Sequence, residues 1–193
     1  MTKSISLPRL VKEAGKRLAY QISDDKLYIA DKTGTFAIAI PFMGTDADKQ
    51  DLEDLKKRCN GSLENRDGLA KAFDTGFHEN IDDCVPADPT GICYTDKNGK
   101  TVTWLTGGDH DEPKAVKVNK AKLDIFSDYR AFIGGPIDPI RLSSYTYQAL
   151  VFPVRMIGVR MIGGGELSKA ELSKAETDLF NLHDIIGDVL RVR

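Results

Sequence analysis

The chain is poor in the residues that usually announce chemistry. Its 193 residues include three histidines, three cysteines and one tryptophan. Cys59, Cys84 and Cys93 are odd in number and show no C-x-x-C spacing, which argues against a disulfide framework, a zinc site and a redox pair. No run of 18 apolar residues occurs, so no helical membrane span is expected. Positions 1–20 lack the apolar stretch of a signal peptide, because Lys3, Arg9, Lys12, Lys16 and Arg17 interrupt them. Together these absences point to a cytoplasmic protein.

The common catalytic signatures are missing too: G-x-x-x-x-G-K-[ST], G-x-G-x-x-G, H-E-x-x-H and G-x-S-x-G do not occur. Ser23 and Lys26 match S-x-x-K only formally, across a predicted hairpin turn where a nucleophile would lie in open water. Asp109-His110-Asp111-Glu112 collects the donor types of a divalent-metal site. Adjacent residues of one loop cannot easily all point inward, so the cluster reads as a solvated acidic loop. His78 and His183 have no plausible partners nearby in sequence, and Asp82, Asp83 and Asp88 around Cys84 read as a charged loop. No catalytic residue, metal or cofactor is assigned, and a non-enzymatic protein is expected.

What is present is an ordinary globular balance, 41% apolar and 29% charged. It allows one large domain or two small ones of about 80–100 residues. The net charge of −2 hides an uneven distribution. Residues 1–41 carry seven Lys/Arg against four Asp/Glu, and residues 113–165 carry eight against three. The stretch 42–112 carries eight against sixteen, and 166–193 four against six. Such asymmetry predicts one positive and one negative surface on the same molecule.

Both basic segments coincide with a pattern that occurs twice. A short helix, Leu7 to Leu18, precedes three strand-like runs, Ala19–Ser23, Lys26–Ala30 and Thr35–Pro41. A second helix, Asn119 to Tyr129, precedes Ala131–Ile133, Ile137–Leu142 and Tyr145–Met156. Ser6 and Asn119 are suitable caps, and Pro8 suits a first helical turn. Arg9, Lys12 and Lys16 fall on one face of the first helix. Lys120 and Lys122 occupy the second, where Asp124 and Asp128 share the face of Lys120. The predicted fold class is therefore α+β: two related helix-plus-antiparallel-meander halves, with the helices on one side.

Between the halves, an acidic helical insertion is expected at about 45–90, with helices over Asp51 to Cys59 and Arg66 to Phe73, then a loop bounded by Pro86 and Pro89. Asn98-Gly99 predicts a hairpin joining Ile92–Tyr94 to Thr101–Leu105, with Trp104 in the core. After Gly163-Gly164-Gly165, Ser168 and Glu171 form a capping box. Leu172, Ala175, Leu179, Leu182, Ile186 and Val189 then make the apolar stripe of a C-terminal amphipathic helix suited to docking or self-association. The expected domains are 1–106, 107–162 and the tail 163–193.

The second unit ends in Ala149-Leu150-Val151-Phe152-Pro153-Val154-Arg155-Met156. This run resembles the closing strand of bacterial and phage DNA sliding clamps, over about 40 residues with the preceding strand, helix and short strands. Tyr28-Ile29-Ala30-Asp31 in the first unit is similar to a strand–turn segment of clamp domains. The resemblance implies clamp-like halves whose helices line a pore around duplex DNA, with sheets outside. It also implies a partner pocket, carried onto Pro153, Val154, Arg155 and Met156. A six-domain ring would take three copies of a two-domain chain, hence a trimer. Clamps stop at this motif, whereas 37 residues follow Met156 here.

The function expected is a clamp-like processivity or scaffold factor. Arg9, Lys12, Lys16, Lys120 and Lys122 would contact phosphates without reading sequence, and replication or other proteins would be the partners. A protein-interaction module using the C-terminal helix is the alternative, and a small enzyme with a dispersed site the third reading.

Overall fold

The computed structural model describes residues 4–15, 17–95, 99–109, 112–135 and 138–154. These residues form four α-helices and ten strands, the strands joined in one sheet. The fold is α+β.

Helix α1 (Leu7–Glu13) buries Leu10 and Val11 and is shorter than its apolar stripe predicts. Gly15 takes a left-handed conformation (φ +57°), which ends the helix and lets Leu18 open a strand instead. Strands β1 (Leu18–Ser23), β2 (Lys26–Asp31) and β3 (Phe36–Pro41) then form an antiparallel meander. The turn after β2 is fixed by Asp31, whose carboxylate accepts from the Thr33 amide and from the hydroxyls of Thr33 and Thr35.

Two helices follow. Helix α2 (Asp46–Arg58) starts earlier than predicted because Thr45 and Asp48 form a reciprocal capping box. Asp48 also accepts from the Met43 amide at 3.0 Å. Helix α3 (Leu69–His78) lies further along the chain than predicted, beginning after Gly68 in a left-handed conformation. Gln21 of β1 accepts from the Ala70 amide at 2.8 Å and so ties the start of α3 to the sheet. The two-residue β4 (Glu64–Asn65) pairs in parallel with β1.

Strand β5 (Val85–Thr95) corrects the proline-bounded loop, because Pro86 and Pro89 both lie inside it. Its ladder to β6 (Thr101–Gly107) shifts register between Pro89 and Cys93, where Gly91 turns left-handed (φ +75°). A bulge of this kind tolerates missing amide donors. Strand β7 (Lys114–Asn119) pairs with β6 and is the last strand of the sheet among the described residues. The second predicted helix shrinks to α4 (Lys120–Leu123), capped by the Asn119 side chain, which accepts from the Ala121 amide. The second meander is β8 (Arg130–Ile133), β9 (Ile140–Ser143) and β10 (Gln148–Val151). The long closing strand predicted over Tyr145–Met156 is thus four residues.

The strand order is β4-β1-β2-β3-β10-β9-β8-β5-β6-β7. The two meanders meet where β3 pairs antiparallel with β10, Ile38 facing Ala149. This ladder runs across the boundary expected at 106/107, which itself falls at the end of β6.

Alternation separates two apolar layers. Leu27, Ile29, Phe36, Ile38, Ile140, Leu142, Ala149 and Val151 point to one face, where α1, α2 and α4 contribute Leu10, Leu55 and Leu123. Tyr28, Ala39 and Leu150 point to the other, where α3 contributes Ala70, Phe73 and Phe77. Helices therefore cover both faces, not one as the sequence predicts. The acidic segment supplies a cover to each.

Candidate nucleic-acid interface

The two short helices that introduce the meanders lie against one another. The Ser6 amide donates to Ile125 O at 2.8 Å and the Ser127 amide to Ser4 O at 2.9 Å, around an isolated bridge between Ile5 and Phe126. Leu10 and Leu123 are buried beneath them. Basic residues that are over a hundred positions apart in sequence thereby share one side of the molecule.

The cations on this side are not equally available. Arg9 and Lys12 are exposed, and Arg9 Nη1 donates to Asp124 O at 2.7 Å, so its guanidinium is held across the junction of the helices. Lys120 forms an ion pair with Asp124 at 2.7 Å, the neighbour its helical spacing predicts. Lys122 is half-buried, and loss of water holds its ammonium pKa below the usual lysine range. Asp31 and Glu13 oppose that shift, while Lys100 adds to it. Lys16 lies outside the described residues, and α1 ends before reaching its position. Among the described residues of the predicted set, Arg9 and Lys12 are thus the most exposed cations.

The expected partner pocket is placed only in part. Phe152 donates its amide to Thr35 O and Val154 donates its amide to Lys117 O at 2.9 Å, so half-buried Pro153 and Val154 run from the centre of the sheet towards β7. Arg155 and Met156 lie outside the described residues, as do Leu172, Leu179, Leu182, Ile186 and Val189. A cleft of about 330 Å³ opens elsewhere, lined by Pro86, Asp88, Pro89, Tyr129, Arg130 and Phe132 among others. It forms because β5 and β8 pair only from Val85 to Ala87. In the acidic loop, Asp109 accepts from the Glu112 amide at 2.9 Å, while His110 and Asp111 lie outside the described residues.

Sequence reasoning missed Arg141. It alternates with Ile140 and Leu142 as an outward position of a strand would, yet it is buried. Its guanidinium donates to Phe77 O at 2.7 Å, to Glu79 O and to Cys84 Sγ at 3.1 Å, closing the C-terminal end of α3. A cation placed on helix-end carbonyls is favoured by the helix dipole. The available signal was a lone arginine inside an apolar strand.

No family model, curated protein or solved structure matches the chain. Among the described residues, no helix is long and apolar enough to cross a membrane.

Proposed function

We propose that this chain is a non-enzymatic, clamp-like DNA-associated scaffold or processivity factor built of two related halves. The observation that carries the reading is the equivalence of the two helix-plus-meander units. One constant step along the chain takes Ser6, which precedes α1 without a side-chain capping bond, onto Asn119, which caps α4, and the buried Leu10 onto the buried Leu123. The same step takes Leu27, Ile29, Phe36 and Ile38 onto Ile140, Leu142, Ala149 and Val151, every one on the same sheet face. It also takes Tyr28 onto Arg141, and each of these reaches α3 from the opposite face. In this reading the paired helices present Arg9 and Lys12 to duplex phosphates. Partner proteins engage the surface near Pro153 and Val154, and copies of the chain assemble as a trimeric ring.

The test is binding of short duplexes of unrelated sequence across a salt series. Phosphate contacts make log K fall with log salt by about 0.9 per contact. Replacing both Arg9 and Lys12 with alanine is expected to lower that slope by roughly 2 and to weaken all sequences alike. Absence of binding at low salt removes the DNA reading.

One observation favours a second reading, a protein-interaction module. Lys120 is ion-paired and Lys122 half-buried, so α4 offers fewer available cations than its sequence promises. A module of that kind shows neither the salt slope nor its loss in the double variant.

A further inference from the structure

The sheet splits between β5 and β8. These strands pair only where Val85, Pro86 and Ala87 face Ile133, Phe132 and Ala131. Asp88 and Arg130 come next and do not pair with one another, yet each keeps its neighbour on the far side. Asp88 stands opposite Thr106 of β6, and Arg130 opposite Ser143 of β9. Both strands are irregular beside the split. The ladder of β5 to β6 shifts register after Pro89, and Asp128, two residues before β8, is left-handed (φ +56°).

The cleft of about 330 Å³ lies in this split. Ala87 and Ala131, buried and opposite one another, leave room by their small side chains. Pro89, Tyr129 and Phe132 supply apolar walls. Of the two charged lining residues, Asp88 already has an interaction of its own. The exposed Arg130 guanidinium has no hydrogen bond or ion pair among the described residues.

We propose that this cleft binds a small organic carboxylate with an apolar body. The body lies among Pro89, Tyr129 and Phe132, and the carboxylate meets Arg130. A guanidinium matches a carboxylate through two parallel hydrogen bonds and gives up its hydration more readily than an ammonium. The volume falls at the low end of the range for ligand sites, about 300–1,000 Å³, so the body is a single ring or a short chain. Each wall is held by the ladder on its far side, which keeps the cost of ordering the site low. This assignment stands apart from the DNA reading, which rests on α1 and α4.

The test is titration of the isotope-labelled full chain with phenylacetate, followed by backbone amide chemical shifts. Phenylacetamide, which lacks the charge, and acetate, which lacks the ring, are the controls. Saturable shifts centred on Ala87–Asp88 and Tyr129–Phe132 are expected, with both controls binding about tenfold more weakly or less. Arg130→Gln, a change at an exposed position, should weaken phenylacetate by about tenfold and leave phenylacetamide as it was. The proposal is overturned by shifts that do not saturate or that centre elsewhere. Equal affinity for phenylacetate and either control overturns it too, as does unchanged affinity in Arg130→Gln. Duplex DNA enters none of these readouts, so the two proposals fail separately.

Discussion

On one face of the sheet α1 and α4 are tied to each other through the backbone, by the Ser6–Ile125 and Ser127–Ser4 hydrogen bonds. On the other face α3 is tied to the sheet largely by side chains, from Gln21 at its start and Arg141 at its end. The junction of α1 and α4 thus rests on backbone bonds, joined by the one from the Arg9 guanidinium to Asp124 O, while Lys12 on the same helix is exposed. Side-chain anchoring makes α3 a structural cover, with its fastening residues buried and specific. The same sheet thus carries one face whose short helices are joined mainly through the backbone and one whose helix is fastened mainly by side chains.

The comparison breaks most readily at the core of α3. Phe73 is buried, stacks on Phe77 at 5.7 Å between ring centroids and meets Tyr28 edge-on at 5.6 Å. Phe73→Ala is expected to cost about 4 kcal/mol in denaturant unfolding, as for other buried aromatics. A cost below about 1 kcal/mol would mean that α3 is peripheral and the two faces are not equals.

The anchor itself comes next. Arg141→Met keeps the apolar stem but leaves the carbonyls of Phe77 and Glu79 without this donor, and about 3 kcal/mol of stability should be lost. Faster amide exchange confined to α3 would localise the loss. Exchange rising equally in α1 would show that the faces are not separately fastened.

Alkaline titration sharpens the contrast through groups on both faces. Burial raises the phenol pKa values of Tyr28, Tyr129 and Tyr147, with Asp74 adding to the effect at Tyr28 and Asp124 at Tyr129. Folded, these phenols keep protons that the unfolded chain releases near pH 10. Their contribution is therefore full below about pH 10 and lost as pH climbs through the folded values. Lys122 acts oppositely, since its lowered pKa means that stability from this group rises with pH up to about 10.4. Three phenols against one ammonium predict a thermal midpoint that falls above about pH 10. Tyr147→Phe should flatten the fall. A midpoint that climbs there would assign the alkaline behaviour to Lys122.

The smallest effect is expected at α4. The Lys120–Asp124 pair is partly exposed on both sides, so Lys120→Ala should change stability by less than about 0.5 kcal/mol. A larger loss would mean that the charges hold α4 in place, and that side-chain fastening is not confined to the face of α3.

Several elements could be read from the chain because their signals are local. Alternation in Phe36-Ala37-Ile38-Ala39-Ile40 marks β3 and its two unequal faces. Asn119 marks the start of α4, and Asn98-Gly99 falls between β5 and β6. Boundaries failed where a competing local conformation won, at Gly15 for α1 and at Thr45 with Asp48 for α2. Pro89 misled because a bulge beside it spares the amide donors that a regular ladder requires, and Pro86 because it is the second residue of β5, before the pairing with β6 begins at Ala87.

The sequence by itself determined the α+β composition, the repeated helix-plus-meander order and the separation of acidic and basic segments. All follow from periodicity and charge along a few neighbouring residues. Only the tertiary structure decided that β3 meets β10, that α1 lies on α4, and that α3 closes the face opposite them. It also decided that Arg141 points into the protein and not into water. Those outcomes depend on which distant surfaces bury one another, and burial is a property of the assembled sheet.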